Sequence, residues 1–176
     1  MNKEALFLLI LILGSLKTTF ASNFDLNFTQ TQNDSTRIAE LDRYWEKLNT
    51  SVIEGDFEVY KNCFHQDAVI VFASGKNKTT VPIETALAGW KAGFDDTKAG
   101  KVKVNVEFRF SQRIGDGTTA HESGIFIYTA TDSSTKATNE FIIPFEMLLV
   151  KRDGEWYGLM EYQKPFVTKE EWDALQ

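Results

Sequence analysis

The sequence predicts an α+β fold, in which helices come first and a long antiparallel sheet follows. Before residue 100, apolar residues recur at spacings of three and four, the period of an amphipathic helix. After Gly100, apolar and polar residues alternate, the period of a strand with one buried face. The pair Asp153-Gly154 is a strong hairpin signal between two such strands. Helices segregated from an antiparallel sheet define the α+β class.

Three helices are predicted in the first hundred residues. The first begins at the cap-rich Asp34-Ser35-Thr36 and ends at Gly55. A short second helix covers residues 57–64, and Pro82 starts the third. Between them we expect a short strand over 69–72 and a polar loop over 74–80. The apolar stripe of the first helix consists of Ile38, Leu41, Trp45, Leu48 and Val52.

Four long strands are predicted after residue 100, over 102–110, 118–131, 137–152 and 155–164. Thr168 and Glu171 form a capping box that begins a short final helix. The third strand is apolar on both faces, and one wall of a sheet buries only one face against its own helices. We therefore expect an apolar outer face that a homodimer buries. The alternative is that the amino-terminal segment or Trp172 of the final helix covers this face. The residues assigned to the outer face are Phe141, Ile143, Phe145, Met147 and Leu149, with Trp156 and Met160 beside them.

Composition excludes several classes of protein. Hydrophobic residues make up 43% and charged residues 25% of the chain, as in soluble globular domains. A net charge of −6 without a run of Lys and Arg disfavours nucleic-acid binding, which needs a basic face. The single cysteine, Cys63, excludes an internal disulfide, and with His65 and His121 it provides no zinc site. We expect neither a metal nor a cofactor.

The first 21 residues have the pattern of an export signal. Lys3 gives a positive start, and the apolar run from Leu6 to Leu13 is too short to span a bilayer. Small residues precede a cleavage point after Ala21. We expect a secreted or periplasmic protein with no stable membrane anchor after cleavage; the alternative is an uncleaved anchor. Residues 22–34 are predicted as a flexible segment, and residues 35–176 as one domain.

Three motifs occur in an order that a known family shares. Residues 48–67 read L-N-T-S-V-I-E-G-D-F-E-V-Y-K-N-C-F-H-Q-D, Ala120, Gly124 and Phe126 lie in one strand, and residues 153–156 read D-G-E-W. Together they resemble the nuclear transport factor 2-like superfamily, in particular its SnoaL-like branch, over residues 38–163. The resemblance implies a cone, in which a curved antiparallel sheet wraps around the long first helix. The superfamily contains isomerases, epoxide hydrolases, cyclases, dehydratases and non-catalytic domains, so the fold leaves function open.

The resemblance also assigns candidate catalytic residues. Members of the ketosteroid-isomerase type use a tyrosine, an aspartate base and a buried aspartic acid, and Leu48, Phe72 and Glu146 stand at these positions. Two of the three groups are therefore missing, which removes the isomerase mechanism. Glu146 lies among apolar neighbours, and the resemblance points it into the cone, where burial would raise its pKa. The alternative is a structural carboxylate.

Glu161 and His121 are the weaker catalytic candidates. Glu161 on the fourth strand could share a proton with Glu146, or it could lie at a solvated mouth. His121 is either an acid or base, or a half-exposed structural residue. Residues of one strand face share parity, and the resemblance places even positions of the third strand and odd positions of the fourth inward. The predicted ligand-binding residues are Trp45, Leu48, Phe72, Trp90, Ile142, Pro144, Leu148, Tyr157, Leu159 and Gln163.

From these patterns we expect a protein that binds a small, partly apolar molecule in the cone. One alternative is an isomerase, hydrolase or dehydratase that uses Glu146. Another is an assembly domain whose cone is plugged by Phe72, Trp90 and Phe145. Cavity size separates these alternatives, because an open pocket of several hundred cubic ångströms favours binding or catalysis.

Overall fold

The computed structural model describes residues 22–74 and 78–175, with side chains from residue 34 onward. It has four helices and six strands in these ranges, and the predicted α+β class and cone are confirmed. The expected export signal lies outside the described residues. The elements are α1 (Ser22–Glu54), α2 (Phe57–Lys61), β1 (Phe64–Phe72), β2 (Thr79–Pro82), α3 (Ile83–Lys98), β3 (Val102–Gly115), β4 (Thr119–Asp132), β5 (Thr138–Arg152), β6 (Glu155–Gln163) and α4 (Lys169–Ala174).

The six strands form one curved sheet in the order β2-β1-β6-β5-β4-β3. Strands β3 to β6 are antiparallel neighbours, as the alternating patterns predict. Strand β1 pairs with β6 in parallel, so the sheet is mixed. Strand β2 was predicted as part of a polar loop; it forms a short edge strand that ends at Pro82, a position where a missing N–H is tolerated.

The core lies between α1 and the inner face of the sheet. Leu41, Trp45 and Leu48 of the predicted stripe are buried there. Phe145 of β5 is 2% exposed, and its ring centroid lies 5.4 Å from that of Trp45 and 5.7 Å from that of Phe108. These aromatic contacts fix which face of β5 points inward.

The predicted parity of β5 is wrong. Ile143, Phe145, Met147 and Leu149 are buried on the inner face of the cone, so they are not available for the outer-face dimer. The even-numbered residues of β5 face outward instead. Because β5 is apolar on both faces, its sequence carries no alternation that would fix the parity, and a shift of one residue exchanges the faces.

Part of the outer face is covered by α4. Trp172 packs with Ile125, Ile127 and Ile142, which agrees with the alternative that the final helix folds over the sheet. The Arg109 guanidinium lies 4.3 Å from the Trp172 ring and donates to two carbonyl oxygens of the carboxy-terminal segment. The predicted Thr168 capping box is present and begins this helix.

Several predicted boundaries differ from the structure. Helix α1 begins at Ser22 rather than at residue 34, so the segment predicted to be flexible is helical. This segment has no periodic apolar stripe that would indicate a helix, but extending a formed helix requires no new nucleation. Helix α2 ends at Lys61, and β1 begins at Phe64, earlier than predicted. Among the described residues, none of the helices combines the length and hydropathy needed to span a bilayer.

Candidate functional site

A cavity of about 400 Å³ opens between the helices and the inner face of the sheet. Helix α1 contributes Trp45 and Leu48 to its wall, and the strands contribute Phe145 and Tyr128. Phe141, which is 40% exposed, lies at the rim. The cavity is of the size that holds a small organic ligand, and its wall is predominantly apolar, with nine aromatic residues. The cone is therefore not plugged by the aromatic residues that the assembly alternative invoked.

Two glycines of α3 keep one side of this cavity wide. Gly89 and Gly93 line it, and a Cβ atom added at either position would meet nothing within 4 Å. Glycine in a helix interior costs roughly 1 kcal/mol relative to alanine. Both glycines are exposed, so these two positions carry that cost where the cavity opens to solvent.

Glu161 is the carboxyl group of the cavity. It is 7% exposed, and its Oε1 accepts a hydrogen bond of 2.8 Å from Gln163 Nε2. Burial raises the pKa of Glu161 above its ordinary value, and the hydrogen bond from Gln163 offsets only part of this effect. Among the described residues that line the cavity there is no Lys, Arg or His. The carboxyl therefore has no cationic side chain beside it on the cavity wall.

A bulge explains why Glu161 points inward together with Met147. The pairing of β5 with β6 shifts between Leu148 and Leu149, which are opposite Met160 and Gly158, so Leu159 is an extra residue. An extra residue changes the parity of everything after it. The sequence-based prediction placed Glu161 inward, but it expected an unbroken odd-numbered face.

Two tyrosines add hydroxyl groups to the wall. Tyr60 of α2 and Tyr128 of β4 line the cavity, and within the described residues neither hydroxyl has a hydrogen-bond partner. Burial raises the pKa of Tyr60, and repulsion from a Glu161 charge adds to this. Both hydroxyls are thus neutral and able to donate to a ligand. Sequence reasoning assigned Tyr60 to the core and did not single out Tyr128, because residues 125–128 of β4 are apolar or aromatic on both faces and show no alternation.

The predicted ligand-binding residues divide into two groups. Trp45, Leu48, Trp90 and Gln163 lie on the cavity wall, and their role in binding stays a prediction. Phe72 does not line the cavity but packs against Trp90, with 6.0 Å between ring centroids. The remaining residues do not line the cavity, since the parity of β5 and the bulge of β6 turn them away. They are Ile142, Pro144, Leu148, Tyr157 and Leu159.

Glu146 lies on the outer face of the sheet, contrary to the prediction. Its Oε1 is 2.5 Å from Lys164 Nζ and its Oε2 is 3.3 Å from His121 Nε2. The hydrogen bond from Lys164 lowers the pKa of Glu146, where burial in the cone would have raised it. Glu146 pairs with Tyr162, the neighbour of Glu161, so the two carboxyls lie on opposite faces and cannot share a proton. His121 joins the outer cluster and not the cavity.

A buried polar network fixes the ring of Trp45. Its Nε1 donates to Glu122, which is fully buried and also accepts a hydrogen bond of 2.6 Å from Arg113 Nε. Arg113 in turn donates to Asp42 at 2.6 Å. The network pairs the buried charge of Glu122 with the half-buried Arg113 guanidinium. It was missed because Glu122 follows His121 in a strand whose parity was unknown.

Comparison with solved structures agrees with this architecture. An NTF-2 like protein of unknown function from Shewanella oneidensis MR-1 is 15% identical with a TM-score of 0.55, covering 73% of this chain and 98% of that one. A ketosteroid isomerase-like protein from Erwinia carotovora atroseptica SCRI1043 is 13% identical with a TM-score of 0.56, covering 74% and 95%. Aln2 from a Streptomyces species is 17% identical with a TM-score of 0.60, covering 74% and 91%.

The chain has the nuclear transport factor 2-like fold. This confirms the fold that the resemblance implied. No protein-family model and no curated protein matches the sequence. Structural similarity at sequence identities below 20% establishes the fold alone, so the chemistry of this nuclear transport factor 2-like domain is argued from its own residues. In the described ranges, no group of three or more His, Cys, Asp or Glu residues is arranged to hold a metal ion.

Proposed function

We propose that this protein binds a small, partly apolar molecule in the cavity between α1, α3 and the inner face of the sheet. The observation that carries the proposal is an aromatic cavity of about 400 Å³ that contains a buried carboxyl, Glu161. Apolar walls supply affinity, and a few convergent polar groups orient a ligand. Glu161, Gln163 and the Tyr60 hydroxyl are such groups.

The two helix glycines offer a direct test. Gly93 is exposed where it lines the cavity, so Gly93→Leu would narrow the opening without a backbone clash, because space is free around its Cβ. We expect this variant to lose ligand capacity and to gain up to about 1 kcal/mol of stability from helix propensity. Ala92→Leu is the matched control, since Ala92 is exposed on the same helix and does not line the cavity.

The measurement is native mass spectrometry of protein purified from its own host. A small molecule retained by the native chain and by Ala92→Leu, but absent from Gly93→Leu, supports the proposal. Retention of the same molecule by Gly93→Leu at undiminished occupancy would place the binding site elsewhere and refute it.

The second candidate function is acid–base catalysis on the bound molecule. The raised pKa of Glu161 favours it, because perturbed carboxyls in cavities are candidate acids or bases. The carboxyl in this role is Glu161 and not Glu146, which is paired on the outer face. Glu161→Gln separates the two functions by the chemistry of the bound molecule. If the protein is an enzyme of the isomerase, hydrolase or dehydratase type, the native chain converts the molecule and Glu161→Gln does not. If it is a binding protein, neither chain converts the molecule, whatever the change in affinity.

Export is part of the same proposal. The apolar run before Ala21 supports a signal that is removed on secretion. We expect protein recovered from the periplasm or the medium to begin at Ser22 by amino-terminal sequencing, and membrane-bound protein with an intact Met1 would contradict this. A homodimer through the outer sheet face also stays a prediction, which light scattering checks.

A further inference from the structure

We infer that the ligand of this cavity is an organic cation, a quaternary or protonated amine with apolar substituents, held by Glu161 among aromatic rings. The inference rests on the proposed function, since it names the chemical class of the molecule that the cavity binds. It follows from the charges, the rings and the free polar atoms of the wall.

The first argument for a cationic ligand is the charge of the cavity wall. Glu161 is buried, and Gln163 supplies a single hydrogen bond to one of its two oxygens. No Lys, Arg or His lines the cavity among the described residues. A buried carboxylate is unfavourable unless an opposite charge lies beside it. A cationic ligand supplies that charge, whereas an anionic ligand would face an acidic wall without a counter-ion.

The rings carry the second step. Tyr60 lies at the centre of an aromatic cluster, 4.9 Å from Phe94 and 5.8 Å from Trp90 between ring centroids, and all three rings line the cavity. Glu161 lines the same cavity as these rings, and burial, together with repulsion from a Glu161 charge, raises the pKa of Tyr60. A set of aromatic rings beside a carboxylate is the arrangement that recognises alkylated ammonium groups, by cation–π attraction and by charge.

The electrostatic potential of the whole chain also favours a cationic ligand. The formal net charge is −6, which raises the local concentration of cations and lowers that of anions. A neutral ligand with a carbonyl oxygen is the remaining competitor, because protonated Glu161 would donate a hydrogen bond to it.

The two ligand classes respond to pH in opposite directions. A cation binds better above the pKa of Glu161, where the carboxyl is charged, and a carbonyl ligand binds better below it. Tyr44 of α1 and Tyr60 of α2 interact electrostatically with Glu161 and with Cys63, and Tyr128 of β4 lines the same cavity as Glu161. Burial raises the pKa of each of them, to about 11 for Cys63, so all stay neutral below pH 8. Its strand neighbours Ile70 and Met147 carry no charge.

The experiment compares phenyltrimethylammonium with tert-butylbenzene, its neutral isostere, by quenching of tryptophan fluorescence from the cavity residues Trp45 and Trp90. We expect the native protein to prefer the cation at least tenfold at pH 8, with tighter binding at pH 8 than at pH 5. Glu161→Gln should reduce the preference to less than threefold. Glu146→Gln is the matched control, because it removes a carboxyl from the outer face, and it should keep the preference.

Each outcome decides a separate point. Equal binding of the two probes, or a cation preference that Glu161→Gln retains, overturns the inference and leaves the proposed function standing. If the native protein binds neither probe, the inference is overturned too. The comparison of Gly93→Leu with Ala92→Leu then decides whether the proposed function stands. The pH dependence is measured on the native chain, so it stays decisive if Glu161→Gln fails to fold.

Discussion

Replacing Phe145 by alanine tests the inner face of β5 most directly. Phe145 is 2% exposed and packs against Trp45, Phe108, Phe110 and Phe126 at ring-centroid distances of 5.4 to 6.1 Å. Truncating a buried phenylalanine costs about 3–5 kcal/mol, since transfer and cavity terms add. This is a large part of the roughly 5–15 kcal/mol by which a domain is stable.

The control is Leu148→Ala, on the opposite face of the same strand. Leu148 is half-buried, so its truncation should cost about 1 kcal/mol. Urea unfolding followed by circular dichroism measures both variants. With a slope of about 1–3 kcal/mol/M, Phe145→Ala should lower the midpoint by at least about 1 M, and Leu148→Ala by a fraction of that. A larger loss for Leu148→Ala would show that the even-numbered face is the core and would refute the parity.

Three further outcomes follow from the charged groups. Arg113→Met leaves buried Glu122 without its ion-pair partner and should cost about 3 kcal/mol or more in urea unfolding, whereas Asp42→Asn at the exposed end of the network should cost less than about 1 kcal/mol. Glu146→Gln should cost less than about 1 kcal/mol at neutral pH, and its effect should vanish as the pH falls, because the pKa of Glu146 is lowered in the folded state. The pKa of Glu161 is raised in the folded state, so its contribution to the free energy of unfolding is fully present below pH 4.5 and is lost as the pH rises. Native protein should therefore lose stability relative to Glu161→Gln between pH 4.5 and neutrality. Parallel plots of stability against pH for the two proteins would contradict the burial of this carboxyl.

The sequence predicted the elements whose burial is one-sided. The stripe that contains Leu41, Trp45 and Leu48 identified α1, because a helix that packs on one side leaves a 3.6-residue period. The alternation of Val104 and Val106 with polar residues identified β3 for the corresponding reason. In both elements, polar residues on the exposed face and apolar residues on the buried face make the pattern visible in the sequence.

The candidate site was harder to predict because two features remove this contrast. Strand β5 is apolar on both faces, since α1 covers one and α4 covers part of the other through Trp172. The residue pattern of β5 therefore does not show which side chains face the core, and the resemblance assigned Glu146 to the wrong face. The bulge at Leu159 directly follows Gly158, and a glycine within a strand can mark a bulge. The prediction assumed a regular alternation along β6 instead, which misplaced Tyr157 while it placed Glu161 correctly.

The position of Glu161 is best understood as an arrangement that favours binding over stability of the empty domain. A glutamine has almost the same shape, could still hydrogen-bond to Gln163, and would carry no charge into a cavity lined by Trp90 and Phe94. The carboxyl therefore lowers the stability of the ligand-free protein at neutral pH, because its pKa is raised above that of the unfolded chain. A bound cation removes this penalty, since it allows the carboxylate to stay charged inside the cavity. The stability that the charged carboxyl removes from the ligand-free protein is thus regained when a ligand binds, and only a cation regains it. Glu161 is therefore a determinant of specificity as well as of affinity.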